Sequence, residues 1–378
     1  MKKKIIVLGA GLVGSAIVFD LAQEEEYQIT AADINLGALK KVAGIPGVIT
    51  QQADLSKPET IHSLLKEVDL VICAVPGFMG YQTLKEIISA GKNVVDISFF
   101  PEDPFELDNL AKEKKVKAIV DCGVAPGLCN IIAGYVAEKL DEPSYYHCYV
   151  GGLPEVPEWP YQYKAVFSPV DVIEEYVRPA RLVENGQEVV YPALSGVELL
   201  KFPGAGTLEA FNTDGLRTLA HTLAFPTMVE KTLRYPGHAE LMRVFRESGF
   251  FNPDPVEVDG NQVIPLSLTS KLLFDQWYMK DGEKDLTVLQ VVLKGKEKDK
   301  QVVYQYDLLD RFHDETGITS MARTTGYTCT IVARQLLKGM IPVQGILPPE
   351  FLGKIPHLFE DLLVEYQKRG INLIETIK

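Results

Sequence analysis

The sequence predicts an α/β chain, a doubly wound parallel Rossmann-type sheet with an inserted α+β domain. Three observations lead there. A glycine triad follows an apolar run at the N-terminus. Strand-like apolar runs then alternate with helix-periodic stretches as far as VKAIVD. From about Glu142 the rhythm changes to hairpin-like runs, and helical periodicity takes over again only near Ser320.

Ile5 to Leu8 reads as a buried parallel strand, and Gly9, Ala10, Gly11, Leu12, Val13 and Gly14 form a G-x-G-x-x-G turn into a helix marked by Ile17, Val18 and Leu21. The first glycine permits the tight turn, the second lets backbone approach a pyrophosphate, and the third lets helix pack on strand. YQITAAD reads as a second strand ending in Asp33, whose carboxylate can accept hydrogen bonds from an adenosine ribose. Ile34, Asn35 and Leu36 follow without a basic residue, and Asp33 would repel a 2′-phosphate, so NAD is expected rather than NADP.

The alternation continues with VITQQADL, a helix near 61–68, DLVICAVP, a helix near 81–90, NVVDISF and VKAIVD. Ligands of such sheets lie beyond the carboxyl ends of the strands. That rim carries Asp33, Asp54, Leu55, Ala74, Val75, Pro76, Asp96, Ile97, Ser98, Asp121 and Cys122.

DCGVAPGLCN, residues 121–130, crowds two glycines, a proline and two cysteines into one strand-to-helix turn on this rim. A metal site is disfavoured by spacing, because Cys122 and Cys129 have no His or second cysteine pair beside them; no metal is expected. A plain structural turn and a loop closing on the cofactor through Cys122, Gly123, Val124 and Pro126 both fit.

Farther on, YYHCYVGGLP, ARLVENGQEVVYP and DLTVLQVVLKGKEKDKQVVYQYDLLD read as strands and hairpins, the last turning at GKEKDK. VDVIEEYV and GLRTLAHTL read as helices, as do SMARTTGYTCTIVARQLLKGM and 358–368. The expected division is 1–125 and 320–378 for the dinucleotide domain, with 126–319 as an inserted substrate and dimerisation domain.

GAGLVGSAI, NVVDIS, DCGVAPGLCN, GTLEAFNTDGLRTL, LRYPGHAE and MARTTGYT, in this order over nearly the whole chain, resemble the saccharopine dehydrogenase superfamily, and within it the lysine 6-dehydrogenase branch. The resemblance implies NAD-dependent oxidative deamination of L-lysine at the ε-carbon, giving allysine that closes to a cyclic imine. It implies also that the loop 123–127 lies against the nicotinamide, that the C-terminal part packs back on the dinucleotide domain, and that the protein is a homodimer.

Oxidising an amine carbon requires the nitrogen lone pair, so an ammonium with a reference pKa of about 10.4 must first lose a proton. Candidates for the base, which would later act as acid, are Asp96, Asp121, Lys164, His238 and Tyr163. Tyr163, Thr213, Asp214, Arg217, Arg178 and Thr325 have the chemistry to hold the substrate, its carboxylate and α-ammonium included. Each has an ordinary alternative: the aspartates as turn caps, His238 as packing, Arg217 as a surface ion pair. A saccharopine reductase or carboxynorspermidine synthase type of reductive coupling, and an inactive NAD-binding regulator, are the competing readings.

A net charge of −13 excludes nucleic acid and anionic membranes as partners. No apolar run reaches the about 18 residues of a membrane span, and the glycines interrupting MKKKIIVLGAG are unlike a signal peptide. Five scattered cysteines fit reduced thiols, so a cytoplasmic protein is expected.

Overall fold

This computed structural model describes residues 2–280 and 282–378. The chain divides into two compact units, Met1–Glu138 with Ala322–Ile371, and Lys139–Met321 with Asn372–Lys378. The first break falls at 138/139 rather than 125/126, because the helix Leu128–Ala137 completes the first unit. The second falls at 321/322 rather than 319/320, and the last seven residues return to the second unit.

In the first unit, strands β1 (Lys3–Leu8), β2 (Tyr27–Asp33), β3 (Val48–Gln52), β4 (Leu70–Cys73), β5 (Val94–Asp96) and β6 (Lys117–Ile119) are all parallel. A seventh strand, Gly345–Leu347, joins β6 at the edge, giving the order Gly345–Leu347, β6, β5, β4, β1, β2, β3. The order reverses between β1 and β4, the switch point where ligands of doubly wound sheets bind. Ile5 to Leu8 are buried on both faces, as a central parallel strand requires.

The returning segment 322–371 is tied to the N-terminal helix Leu12–Leu21 through Asp20. Its Oδ2 accepts from Arg334 Nη1 at 2.6 Å and Thr330 Oγ1 at 2.5 Å, and its Oδ1 accepts from Arg369 Nε at 2.7 Å. A buried carboxylate that satisfies two guanidinium groups fixes where the C-terminal helices sit in this unit.

The second unit is built on a nine-stranded sheet. Its long strand Glu142–Pro154 pairs in parallel with Thr227–Arg234 and antiparallel with Asp285–Glu297. The hairpin Asp285–Glu297/Lys300–Arg311 turns on Lys298 and Asp299 alone, both at positive φ, so GKE continues the ladder that the sequence placed in a longer turn. Leu373–Ile377, unread in the sequence, adds an edge strand to it. Helices Pro169–Val177, His238–Glu247 and Pro265–Trp277 share a core with Tyr163, Phe211, Met242 and Trp277. GLRTLAHTL forms only one helical turn, Leu219–Thr222, since Arg217 at φ 52° prevents it from starting earlier and Leu223 is extended after it. No helix among the described residues is long and apolar enough to cross a membrane.

Candidate active site

The glycine-rich turn has the geometry its residues dictate. Gly9 sits at φ 98° against the Ala74 carbonyl, and Gly14 packs on the Gly9 carbonyl, so neither position tolerates a Cβ. A Cβ at Gly11 would meet no protein atom within 4 Å, leaving the space above the turn open. Gly11 caps the helix without a side-chain bond and no acidic residue occupies the first turn. The first intrahelical bond is Ser15 N–H to the Gly11 carbonyl at 3.0 Å, so the amides of Leu12, Val13 and Gly14 lie ahead of it. These groups, with the positive end of the helix dipole, fit a pyrophosphate.

Asp33 ends β2, its Oδ2 accepting from Ala10 N–H at 2.7 Å and its Oδ1 from Asn35 N–H at 2.7 Å. Ile34 and Leu36 are exposed beside it. Asp54 closes its own turn, accepting from Ser56 N–H at 3.1 Å and Ser56 Oγ at 2.6 Å, and Leu55 is buried next to it. Ala74 N–H bonds the Leu8 carbonyl, Val75 is buried, and Pro76 begins the next helix.

Three strand ends are laced together beyond the switch point. Ile97 N–H bonds the Cys73 carbonyl and Cys122 N–H bonds the Asp96 carbonyl, both at 2.9 Å. Asp96 is fully buried; its Oδ1 accepts from the backbone N–H of Ser98 at 2.8 Å and from the Ser98 hydroxyl. Its Oδ2 has no hydrogen-bond partner. Burial, with the nearby Asp121 charge, raises its pKa to about 7. The buried thiols of Cys73 and Cys122 surround it, their own pKa values pushed up by burial. Asp121 is also buried, at φ 52°.

The loop after Asp121 is ordered by its own backbone. Gly123 N–H bonds the Pro126 carbonyl at 3.0 Å, and Leu128 N–H returns to the Gly123 carbonyl at 2.9 Å. Asn130 Oδ1 accepts from Gly127 N–H, and its Nδ2 donates to buried Glu350 at 3.1 Å. Thr325 Cγ2 would stand 3.2 Å from a Cβ at Gly123, so this threonine packs on the loop. Val124 is buried with it.

The other candidates lie in the second unit. His238 Nδ1 donates to the Tyr161 carbonyl at 3.0 Å and Nε2 accepts the Tyr176 hydroxyl at 2.9 Å. Burial and the Arg234 charge lower its pKa to about 3, so it is neutral and both nitrogens are engaged. Lys164 is nearly buried and paired with Glu283 at 3.0 Å. Asp214 is held by Arg181 Nε and Nη2 at 2.8 and 2.9 Å. Arg217 and Thr213 are buried, and Arg178 sits 3.4 Å from Glu174. Tyr163 is buried with its hydroxyl unpartnered, its ring 5.3 Å from Trp277 and under the Arg234 guanidinium at 4.5 Å. Trp159 is 88% exposed.

Sequence reasoning passed over Glu230, Glu175 and Arg234. Arg234 pairs with Glu175 at 2.6 Å, both inside the unit, and Glu230 accepts the Thr213 hydroxyl at 2.5 Å. Met228, Glu230, Thr232 and Arg234 share one face of their strand and all are buried, a face too polar for sequence alternation to mark as interior.

Family models for the saccharopine dehydrogenase NADP binding domain and the saccharopine dehydrogenase C-terminal domain match residues 5–119 and 123–371. The chain belongs to the saccharopine dehydrogenase family. Residues 5–119 are therefore its nicotinamide-cofactor domain, in agreement with the glycine turn. Bovine mitochondrial alpha-aminoadipic semialdehyde synthase is 25% identical over 423 residues, covering 92% of this chain. The chain spans 45% of the length of that relative and of its rat and mouse counterparts. Saccharopine dehydrogenase (NADP(+), L-glutamate-forming) of Schizosaccharomyces pombe is 24% identical over 452 residues, covering 99% of this chain and 98% of that one. Apo saccharopine dehydrogenase (L-Glu forming) from Saccharomyces cerevisiae shares the fold, with a TM-score of 0.81 at 19% identity over the full length of both chains.

Proposed function

We propose that this saccharopine dehydrogenase family member is an NAD-dependent dehydrogenase that oxidatively deaminates L-lysine at its ε-carbon, yielding allysine, ammonia and NADH. NAD, held by the Gly9–Gly14 turn and by Asp33, supplies the hydride acceptor. Asp33 supports NAD over NADP, because its carboxylate stands where a 2′-phosphate would bring like charge and no cation follows it.

The observation that carries the reaction is the unpartnered Oδ2 of buried Asp96 at the end of β5. The ε-ammonium must lose a proton before hydride can leave the carbon, and a carboxyl with a pKa near 7 both accepts that proton and returns it. Water then adds to the carbon–nitrogen double bond, and ammonia departs with the proton Asp96 gives back. The Gly123–Gly127 loop closes the rim beside it.

The relatives' names favour a second reading, cleavage of saccharopine with NADP. Purified protein is assayed by NADH or NADPH absorbance with each coenzyme against L-lysine, ornithine and saccharopine. Turnover of lysine with NAD supports the proposal. Turnover of saccharopine alone replaces it with the second reading.

A further inference from the structure

Three aspartates at or just past strand ends of the first unit close the same turn. Asp33, Asp54 and Asp96 each accept, through Oδ1, the backbone N–H two residues on, from Asn35 at 2.7 Å, Ser56 at 3.1 Å and Ser98 at 2.8 Å. They part at the second oxygen. Asp33 Oδ2 takes the Ala10 N–H and Asp54 Oδ2 stands 3.3 Å from Lys57 Nζ, whereas Asp96 Oδ2, fully buried, has no partner among the described residues. Turn formation accounts for Oδ1 but not for Oδ2. Ser98 adds its hydroxyl as a second donor to Oδ1, and with that proton committed the Cys73 thiol, 3.8 Å away, is the donor to Ser98 Oγ. Ser98 is 3% exposed, so bulk water does not compete for the bond. Gly80, on the helix Gly77–Ser89, packs directly on it: a Cβ there would lie 2.8 Å from both Ser98 Cβ and Oγ.

We propose that Ser98 is a positioning residue for Asp96, occupying Oδ1 with two donors so that the proton Asp96 exchanges is carried by Oδ2. The inference rests on the reading of Asp96 as the group that takes the substrate's proton. An oxygen that already accepts two hydrogen bonds is the carbonyl oxygen of the protonated acid, which leaves the other to bear the hydrogen. Both donors also favour the ionised carboxylate, against the effect of burial. Cys73 on β4, Asp121 and Cys122 after β6, and Cys329 on the helix Ser320–Leu337 face the same carboxyl. Burial keeps the three thiols protonated while Asp96 titrates, and Asp121 opposes its ionisation. Loss of the Ser98 hydroxyl therefore delays ionisation of Asp96 to higher pH.

The test uses Ser98→Ala, which removes the hydroxyl and keeps the backbone donor. Protonated Asp96 is followed in the apoprotein by the infrared carbonyl band of its carboxyl, identified by its absence in Asp96→Asn. The expected midpoint is near 7 in the wild type and about one pH unit higher in Ser98→Ala, with the rising limb of kcat/KM for lysine moving alongside it. A merely structural serine would lower the melting temperature and move neither. An unmoved midpoint overturns the proposal. Ser98→Cys, with a weaker donor at the same place, should fall between the two, and is read alone if Ser98→Ala does not fold. A midpoint that moves while the limb stays refutes Asp96 as the base, not the hold of Ser98 on its carboxyl. A wild type that does not turn over lysine refutes the deamination reading, and the infrared midpoint alone then decides for or against Ser98.

Discussion

Asp33 Oδ2 receives a 2.7 Å hydrogen bond from Ala10 N–H, so the acid that ends β2 is clamped to the glycine-rich turn. The bond holds a negative charge at the edge of the cofactor site. Asp33→Asn keeps an acceptor for Ala10 and removes the charge. The ratio of kcat/KM with NADP to that with NAD should rise by about tenfold or more, roughly 1.4 kcal/mol, measured from initial rates with both coenzymes.

Asp96→Asn keeps the Ser98 contacts but abolishes the proton acceptor. A fall in kcat of about a hundredfold or more is expected if Asp96 moves the proton. A variant retaining full kcat with lysine would remove it from the chemistry.

His238 gives the opposite expectation. Its imidazole is neutral throughout the working range, with its pKa near 3. His238→Asn should lower the melting temperature through the lost Tyr176 and Tyr161 bonds while leaving the pH limbs of kcat/KM where they were. A shifted limb would show that His238 titrates during turnover.

Stability should fall as pH rises from about 6.5 to 8. Folded Asp96 and Glu230 retain protons up to about 7 and 8, whereas the unfolded chain releases them near 3.8 and 4.5. Groups raised in this way stabilise fully below the unfolded values, and their contribution is lost as pH climbs through the folded ones. His238 and His147, lowered to about 3 and 4, act below 6.5, and Glu365, lowered to about 2, acts only in acid, while Asp285, raised to about 6 by burial, adds to the same downward slope at the lower end of the window. Asp121 beside Asp96, and Glu175 and Asp214 beside Glu230, oppose ionisation further. Melting curves of the apoprotein across the window should slope downward, and Asp96→Asn with Glu230→Gln should flatten them.

Asp20→Ala leaves Arg334 and Arg369 without their shared carboxylate. A loss of about 3 kcal/mol or more is expected by denaturant unfolding, the size seen when one partner of a buried pair is removed. Surface pairs such as Lys271 with Asp275 should contribute less than about 1 kcal/mol.

The central strands β1 and β4 were legible because a parallel sheet buries both faces and writes them as unbroken apolar runs, whereas the exposed edge strand β3, VITQQ, was legible only from the strand–helix alternation around it. The glycine spacing and Asp33 were legible locally as well. Leu373–Ile377 was not, since an edge strand with exposed Ile374 and Ile377 has no apolar face to display. Nor was Glu230, because a lone Glu in TMVEKTLR reads as a solvent-facing position until the neighbouring strands bury it. The engagement of Asp214 by Arg181 joins residues 33 apart, which spacing does not reveal.

The break points at 138/139, 321/322 and 371/372 bear on biosynthesis. A ribosome delivers β1 to β6 early, but the strand that covers β6 and the arginines that hold Asp20 emerge only after residues 139–321 of the second unit. During that interval the nascent sheet waits with an open edge, a hazard for association with other chains. Neither unit can be excised as a contiguous piece, so gene fragments cut at the first boundary should give insoluble product.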